Sequence, residues 1–329
     1  MPTVFELGGV PVGVEADLDD RRWLAGFGGC RECPEAQGAP FRIVFEPASG
    51  PLPAPEAGAD PRVAFALDSG PLRMPVVARG DVTRAWDETT GAVLELTEGG
   101  ATTRIRYPGD RRAARLLLLR VAREYAHNRA LEDGDVILHA AGVVEDGRVR
   151  AIAGPKRAGK TTLALRLMAS GRRYLANDRL RLSPDGRGIG IPTVVTLRPG
   201  TQALFPELEA RLRRGVDYRL HAAEAVAAPP REDAAGLRVS PAQLCAAFGQ
   251  IPAPSGVLDA ILFLDPRADS PRALAPDAAA AALIHGLLGH AGGVHASELF
   301  RSGPAPSAAQ LRQRCEALAA RVPCSAGRP

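Results

Sequence analysis

The chain has 329 residues, 46% of them apolar and 24% charged, with a formal net charge of +4. That length allows two domains with real cores, while a small net charge spread over scattered arginines leaves no nucleic-acid footprint. The longest apolar stretches, such as 257–264, fall far short of the ~20 residues a membrane-spanning helix needs, and Met1-Pro-Thr-Val-Phe-Glu6 shows no signal peptide.

Five cysteines, an odd count without an export signal, predict a reducing, cytoplasmic setting. Cys30-Arg-Glu-Cys33 has metal-finger spacing, but no second Cys/His pair lies within finger distance, so it reads as two small residues in a turn. Residues 1–108 form a β-rich region. Phe41–Glu46, Arg62–Leu67 and Val93–Thr97 alternate apolar and polar residues as half-buried antiparallel strands do, and the proline-rich 51–58 between them is a loop. Asp110 can cap a helix over Arg111–Ala130, with Leu116, Leu117, Leu119 and Val121 as its apolar stripe.

From Val136 the pattern becomes compact α/β. Val136–Ala140, Gly142–Val144 and Val149–Ala153 read as strands, Thr161–Ala169 as a helix stopped by Gly171, and Arg173–Ala176 as the next strand. Leu180–Leu182 and Ile189–Leu197 read as a hairpin about Pro184-Asp-Gly186, where Asp185 serves the turn. Ala222–Ala235 reads as a mobile excursion. Ile261–Leu264 is a buried strand, and Pro276–Gly289 and Ala308–Ala320 are helices. His285, His290 and His295 recur every five residues, a spacing that does not stack them on one helical face.

The chain has only two lysines, Lys156 and Lys160, and both lie in Gly154-Pro-Lys-Arg-Ala-Gly-Lys-Thr-Thr162. This matches G-x-x-x-x-G-K-[ST], in which backbone N–H groups cradle phosphates, a slim ammonium reaches the β/γ-phosphates and the next hydroxyl holds Mg²⁺. An arginine at Lys160 would bring a wide planar fork where a point charge is needed. Gly154, Lys156, Ala158, Gly159, Lys160, Thr161 and Thr162 are therefore the candidate nucleotide-binding residues, with ATP and Mg²⁺ as the cofactors. A carboxylate is also required, usually at the end of a neighbouring strand. Asp178, in Tyr174-Leu-Ala-Asn-Asp-Arg179, lies a short interval after the loop, and this spacing favours a kinase-like unit. Arg198, before Pro199-Gly200, is a further candidate phosphate or substrate contact at a strand exit.

Leu138-His139-Ala-Ala-Gly142, the Gly154–Thr162 loop, the helix ending at Gly171 and Asn177-Asp178-Arg179 together resemble the C-terminal domain of HPr kinase/phosphorylase. They also resemble its shorter HPr-kinase-like relatives, often associated with peptide-tailoring gene sets. Arg187-Gly-Ile-Gly-Ile191 is a fainter similarity. The resemblance implies an α/β fold: a P-loop, HPr-kinase-like nucleotide-binding domain over 109–329, preceded by the smaller β-rich region. It also implies that Lys160 holds the β/γ-phosphates, that Thr161 and Asp178 hold the metal, and that His139, on the strand before the loop, stands on the acceptor side. The family's Asp-Asp-Arg is Asn177-Asp178-Arg179 here, so the residue that would take the substrate proton is an amide, and Asp178 or His139 would serve instead. The activity implied is phosphorylation of a Ser or Thr hydroxyl of a peptide or small protein, one encoded nearby in the peptide-tailoring case, by a self-associating enzyme. A non-catalytic nucleotide-binding regulatory module and a small-molecule kinase are the alternatives.

Overall fold

A computed structural model describes residues 2–33, 38–56, 58–67, 70–220, 229–268, 270–287, 297, 299–301 and 303–328. It is a mixed α/β protein with two large mixed sheets. The first sheet contains β1 (Thr3–Leu7), β2 (Val10–Glu15), β3 (Cys30–Glu32), β4 (Phe41–Pro47), β5 (Asp60–Leu67), β6 (Gly70–Arg79), β7 (Val82–Asp87), β8 (Ala92–Thr97) and β9 (Thr102–Tyr107). Their order is β3-β1-β2-β4-β9-β8-β7-β6-β5.

The alternation at Phe41–Glu46 predicts an antiparallel strand, but β4 pairs parallel with both β2 and β9. The reason is connectivity. Helix α1 (Leu18–Gly26) and β3 separate β2 from β4, and the β5–β8 meander separates β4 from β9, so neither neighbour is reached by a hairpin. Cys30 lies in edge strand β3 rather than in a turn; its thiol is free, and burial pushes its pKa up.

Asp110 caps helix α2 (Arg111–Glu132) as expected, its carboxylate accepting from Arg112 and Ala113 N–H. Leu117, Leu118, Val121 and Tyr125 of α2 are buried in the same core as Phe5, Ile43, Phe65 and Leu94 of the sheet, so this helix covers the first sheet. Phe300, from near the far end of the chain, completes that core by stacking on Phe65 (5.7 Å) and meeting Tyr125 edge-on (5.4 Å). On alternate positions the strands carry ion pairs, with Arg84 and Arg106 both on Glu95 at 2.8 and 2.9 Å.

The second sheet contains β10 (Val136–Leu138), β11 (Ala141–Glu145), β12 (Arg148–Ala153), β13 (Arg173–Ala176), β14 (Leu180–Leu182), β15 (Arg187–Gly190) and β19 (Ser255–Leu264), in the order β10-β14-β15-β19-β12-β11-β13. The expected strand Ile189–Leu197 divides in two. Pro192 lacks the N–H a ladder needs, and after it β16 (Val195–Leu197) leaves for a three-stranded sheet with β17 (Arg231–Asp233) and β18 (Gly236–Val239). The second half of the expected excursion is therefore an ordered hairpin, its turn closed by the Asp233 carboxylate accepting from Ala235 N–H at 2.9 Å; residues 222–228 lie outside the described residues.

Helix α3 (Lys160–Ala169), the small sheet and helices α5 (Pro206–Arg213) and α6 (Pro241–Ala247) cover one face of the second sheet, with α4 (Pro199–Leu204) leading into α5. The other face packs on α7 (Pro276–Gly286) and α8 (Ala308–Ala319). Val149, Ala151 and Ala153 point to α7 and α8 while Ile152 points to α3, the two-residue period of a strand buried on both faces. Short strands β20 (Arg272–Ala273) and β21 (Cys324–Gly327) extend the sheet where β21 pairs parallel with β19. The expected helix 276–289 ends at Gly286; residues 288 and 289, with His290 and His295, lie outside the described residues. Among the described residues no helix is long and apolar enough to cross a membrane.

Candidate functional site

Two short links force the second sheet to curl. His139–Ala140 joins β10, first in the strand order, to β11, sixth; Asn177–Arg179 joins β13, seventh, to β14, second. In a flat sheet each link would have to cross roughly 24 Å at about 4.8 Å per strand. The first can reach only about 11 Å, and the second about 14 Å. The two ends of the sheet must therefore meet, and the links cross that seam side by side. Leu138 pairs with Leu180 at one end of the links and Gly142 with Ala176 at the other.

The same register brings in the loop. Ala141 is opposite Ile152, so the carboxyl end of β12, where Gly154 begins, lies beside Ala140. His139, the 154–159 loop and the Asn177–Arg179 corner thus converge at one end of the sheet. His139 does not lie on a strand as expected. It sits one residue past β10, half-buried, with its N–H donating to Gly286 O at 3.0 Å.

Backbone sterics shape the loop. Gly154 has φ +140°, and a Cβ there would meet Leu264 O of the parallel neighbour at 3.0 Å. Gly159 has φ +97° and brings no side chain to cap α3. The first amides of a helix have no intrahelical acceptor, and with an uncapped start they offer an anion site. Lys160 is buried, its ammonium donating to Gly154 O (2.9 Å) and Pro155 O (3.2 Å). Lys156 and Arg157 are exposed on the loop, Arg157 at φ +68°, and Ala158 N–H closes the turn on Pro155 O. The Thr162 hydroxyl meets that of Thr201 in α4 at 3.1 Å. Arg198 precedes α4 and is exposed.

Thr161 Oγ1 donates to Asn177 Oδ1 at 3.0 Å. The hydroxyl of the loop is thus joined by the amide oxygen of the corner, with Asp178 the next residue and half-buried. Among the described residues no group of three His, Cys, Asp or Glu gathers as a metal cage. Mg²⁺ does not need one, since it usually takes one or two carboxylates, substrate phosphates and water. A hydroxyl, an amide oxygen and an adjacent carboxylate are the hard oxygen donors that suit it.

Behind the corner lies a polar cluster that periodicity does not reveal. Arg179 Nη1 donates to Glu124 Oε1 at 2.9 Å and meets His127 Nδ1 at 3.2 Å, and all three residues are buried. Arg123 Nη2 lies 3.7 Å from the same carboxylate oxygen. Burial, and then the charges of Arg179 and Arg123, hold the His127 pKa well below its usual value, so the ring is neutral and Nδ1 accepts from Arg179. Burial, followed by Arg179, lowers the Arg123 pKa to about 9. Charged residues within a helix usually read as a solvated face. The available signal is that Arg123, Glu124, His127 and Asn128 interrupt a run of buried apolar positions that includes Val121, Ala122, Tyr125, Ala126 and Ala130. Asp185 stays in its turn, accepting from the Ser183 hydroxyl, and His285 lies in the last turn of α7.

No protein-family model matches the chain, and no curated protein matches it.

Proposed function

We propose that the chain is an ATP- and Mg²⁺-dependent kinase of the HPr-kinase-like class, acting on a Ser or Thr hydroxyl of a peptide or small protein. The observation that carries this reading is convergence. The loop with Lys160, the Thr161–Asn177 contact and the His139–Ala140 link come to one end of the sheet although their residues are spread from 139 to 177. ATP supplies the transferable phosphoryl group, and Mg²⁺ compensates its charge.

The protein's own groups position and neutralise. Lys160 trades its two carbonyl contacts for phosphate oxygens, while Thr161 and Asp178 hold the metal. Asn177 keeps the Thr161 hydroxyl oriented but cannot take a proton as a carboxylate would. Loose phosphoryl-transfer transition states depend mainly on positioning and charge, so the serine or threonine proton goes to Asp178 or His139. The amide at 177 also favours a second reading, a nucleotide-binding module without catalysis.

Calorimetric titration of ATP with Mg²⁺ tests the first requirement. Lys160→Ala removes a charged contact, expected to weaken binding about 10- to 100-fold, and unchanged affinity in a folded variant sinks the assignment. Mass spectrometry of candidate peptides incubated with the wild type and with Asn177→Asp then separates the readings. Phosphorylated serine or threonine supports the kinase, whereas tight ATP binding without any product supports the module.

A further inference from the structure

We propose that Glu124 and His127 of α2 are positioning residues for the Asn177–Arg179 corner, acting through Arg179; this rests on the nucleotide-binding reading above. The corner is held from two sides. On one side Thr161 binds Asn177. On the other, the residue after Asp178 is fixed in depth: Arg179 reaches Glu124 and His127, and its carbonyl accepts from Ile191 N–H at 3.1 Å. Asp178 is thus flanked by two anchored neighbours, and its backbone has little room to turn.

A guanidinium bound by two acceptors from adjacent turns of one helix has a defined plane as well as a position. The neutral imidazole is essential to that geometry, because a protonated ring would present a donor to a donor. The cluster is an expensive way to brace a corner. Glu124 faces two guanidiniums, and its second oxygen and two of the Arg123 nitrogens have no hydrogen-bond partner among the described residues. An apolar core would stabilise the fold with less penalty. Groups that orient a metal ligand from behind are where such a penalty has a function, and their loss typically weakens metal binding about 10- to 100-fold.

The measurement is the gain in ATP affinity produced by Mg²⁺, obtained by calorimetry on the full chain with and without the metal. His127→Ala should reduce that gain about 10-fold or more while ATP affinity without Mg²⁺ stays within about twofold, because the loop and Lys160 are untouched. His127→Asn, whose Oδ1 can accept from Arg179 as Nδ1 does, should restore the gain. Glu124→Gln, nearly isosteric, should act in the same direction as His127→Ala and serves if the alanine variant does not fold. A purely structural role would lower the melting temperature and leave the gain unchanged, and that result in either folded variant overturns the proposal. A wild type that binds no ATP removes the nucleotide reading and this one with it. A wild type that binds ATP but ignores these substitutions removes only this one.

Discussion

Helix α2 carries a buried arginine site in each half, and the two differ in how completely they are satisfied. In the first half, Arg115 is fully buried, donates to Asp20 at 2.7 Å and Arg219 O at 3.0 Å, and lies over the Trp23 ring at 5.7 Å. Asp20 Oδ1 also has Arg111 Nε at 3.7 Å, yet among the described residues no buried side-chain polar atom of Arg115 or Asp20 lacks a hydrogen-bond partner, which is what a bolt between α1, α2 and the chain at Arg219 requires. In the second half Glu124 Oε1 likewise faces two guanidiniums, but Glu124 Oε2 and two of the Arg123 nitrogens have no hydrogen-bond partner among the described residues. The saturated pair braces the first sheet, and the unsaturated one sits behind the corner at the seam of the second. The same residue types have complete bonds where they only pack, and incomplete ones behind the corner that we propose they position.

The largest effect is expected at Asp20. Asp20→Leu leaves Arg115 buried without its carboxylate and should cost about 3–5 kcal/mol in urea unfolding. A loss below about 1 kcal/mol would show that the pair is not the bolt described.

A second contrast is the response to pH. The folded His127 pKa lies well below 6.5, so on acidification the unfolded chain takes up a proton before the folded one does. His127 therefore contributes stability that is present above pH 6.5 and declines below it, by up to about 1.4 kcal/mol per pH unit. Asp20 has the opposite sign. Burial outweighs the attraction of Arg115 and raises its pKa to about 6, so its contribution falls as pH rises from about 4 to 6. Denaturation curves between pH 4 and 7 should therefore lose their acid-side decline in His127→Asn and steepen it in Asp20→Asn. Identical profiles for the two variants would erase the distinction.

The smallest effect is expected at the start of the helix. Asp110→Ala removes the cap and should cost about 1 kcal/mol, read from the shift in melting temperature, with no change in the Mg²⁺-dependent gain. A change in that gain would mean that the two halves of α2 are coupled.

Local rules reached the parts of this molecule that local forces determine. The Asp110 cap, strand Arg173–Ala176 and strand Leu180–Leu182 were legible because period, cap and turn residues all agreed there. The strand before Gly154 and the helix that follows the loop were legible for the same reason. The parallel pairing of β4, the departure of β16 and the curl of the second sheet were not, since each depends on partners distant in sequence. His139 illustrates the limit: one residue of strand boundary decides whether it lies on β10 or crosses the seam. The Glu124–His127 cluster stayed hidden because charge on a helix ordinarily signals water.

The seam also bears on the order in which the chain can assemble. The strand that launches the loop pairs parallel with β19, Ala151 against Ile261, about 110 residues further along. Such distant pairings form late because loop closure must precede any reward. During synthesis, β12 would emerge with β11 at its side while its other flank waits for residues 255–264 to be made. The first sheet is in a similar position, its strands complete at Tyr107 but its core awaiting Phe300. Pulse-labelled amide exchange during refolding should find protection at Ala151 and Leu262, whose amides face each other's strands, appearing together, after that of the β7–β8 hairpin.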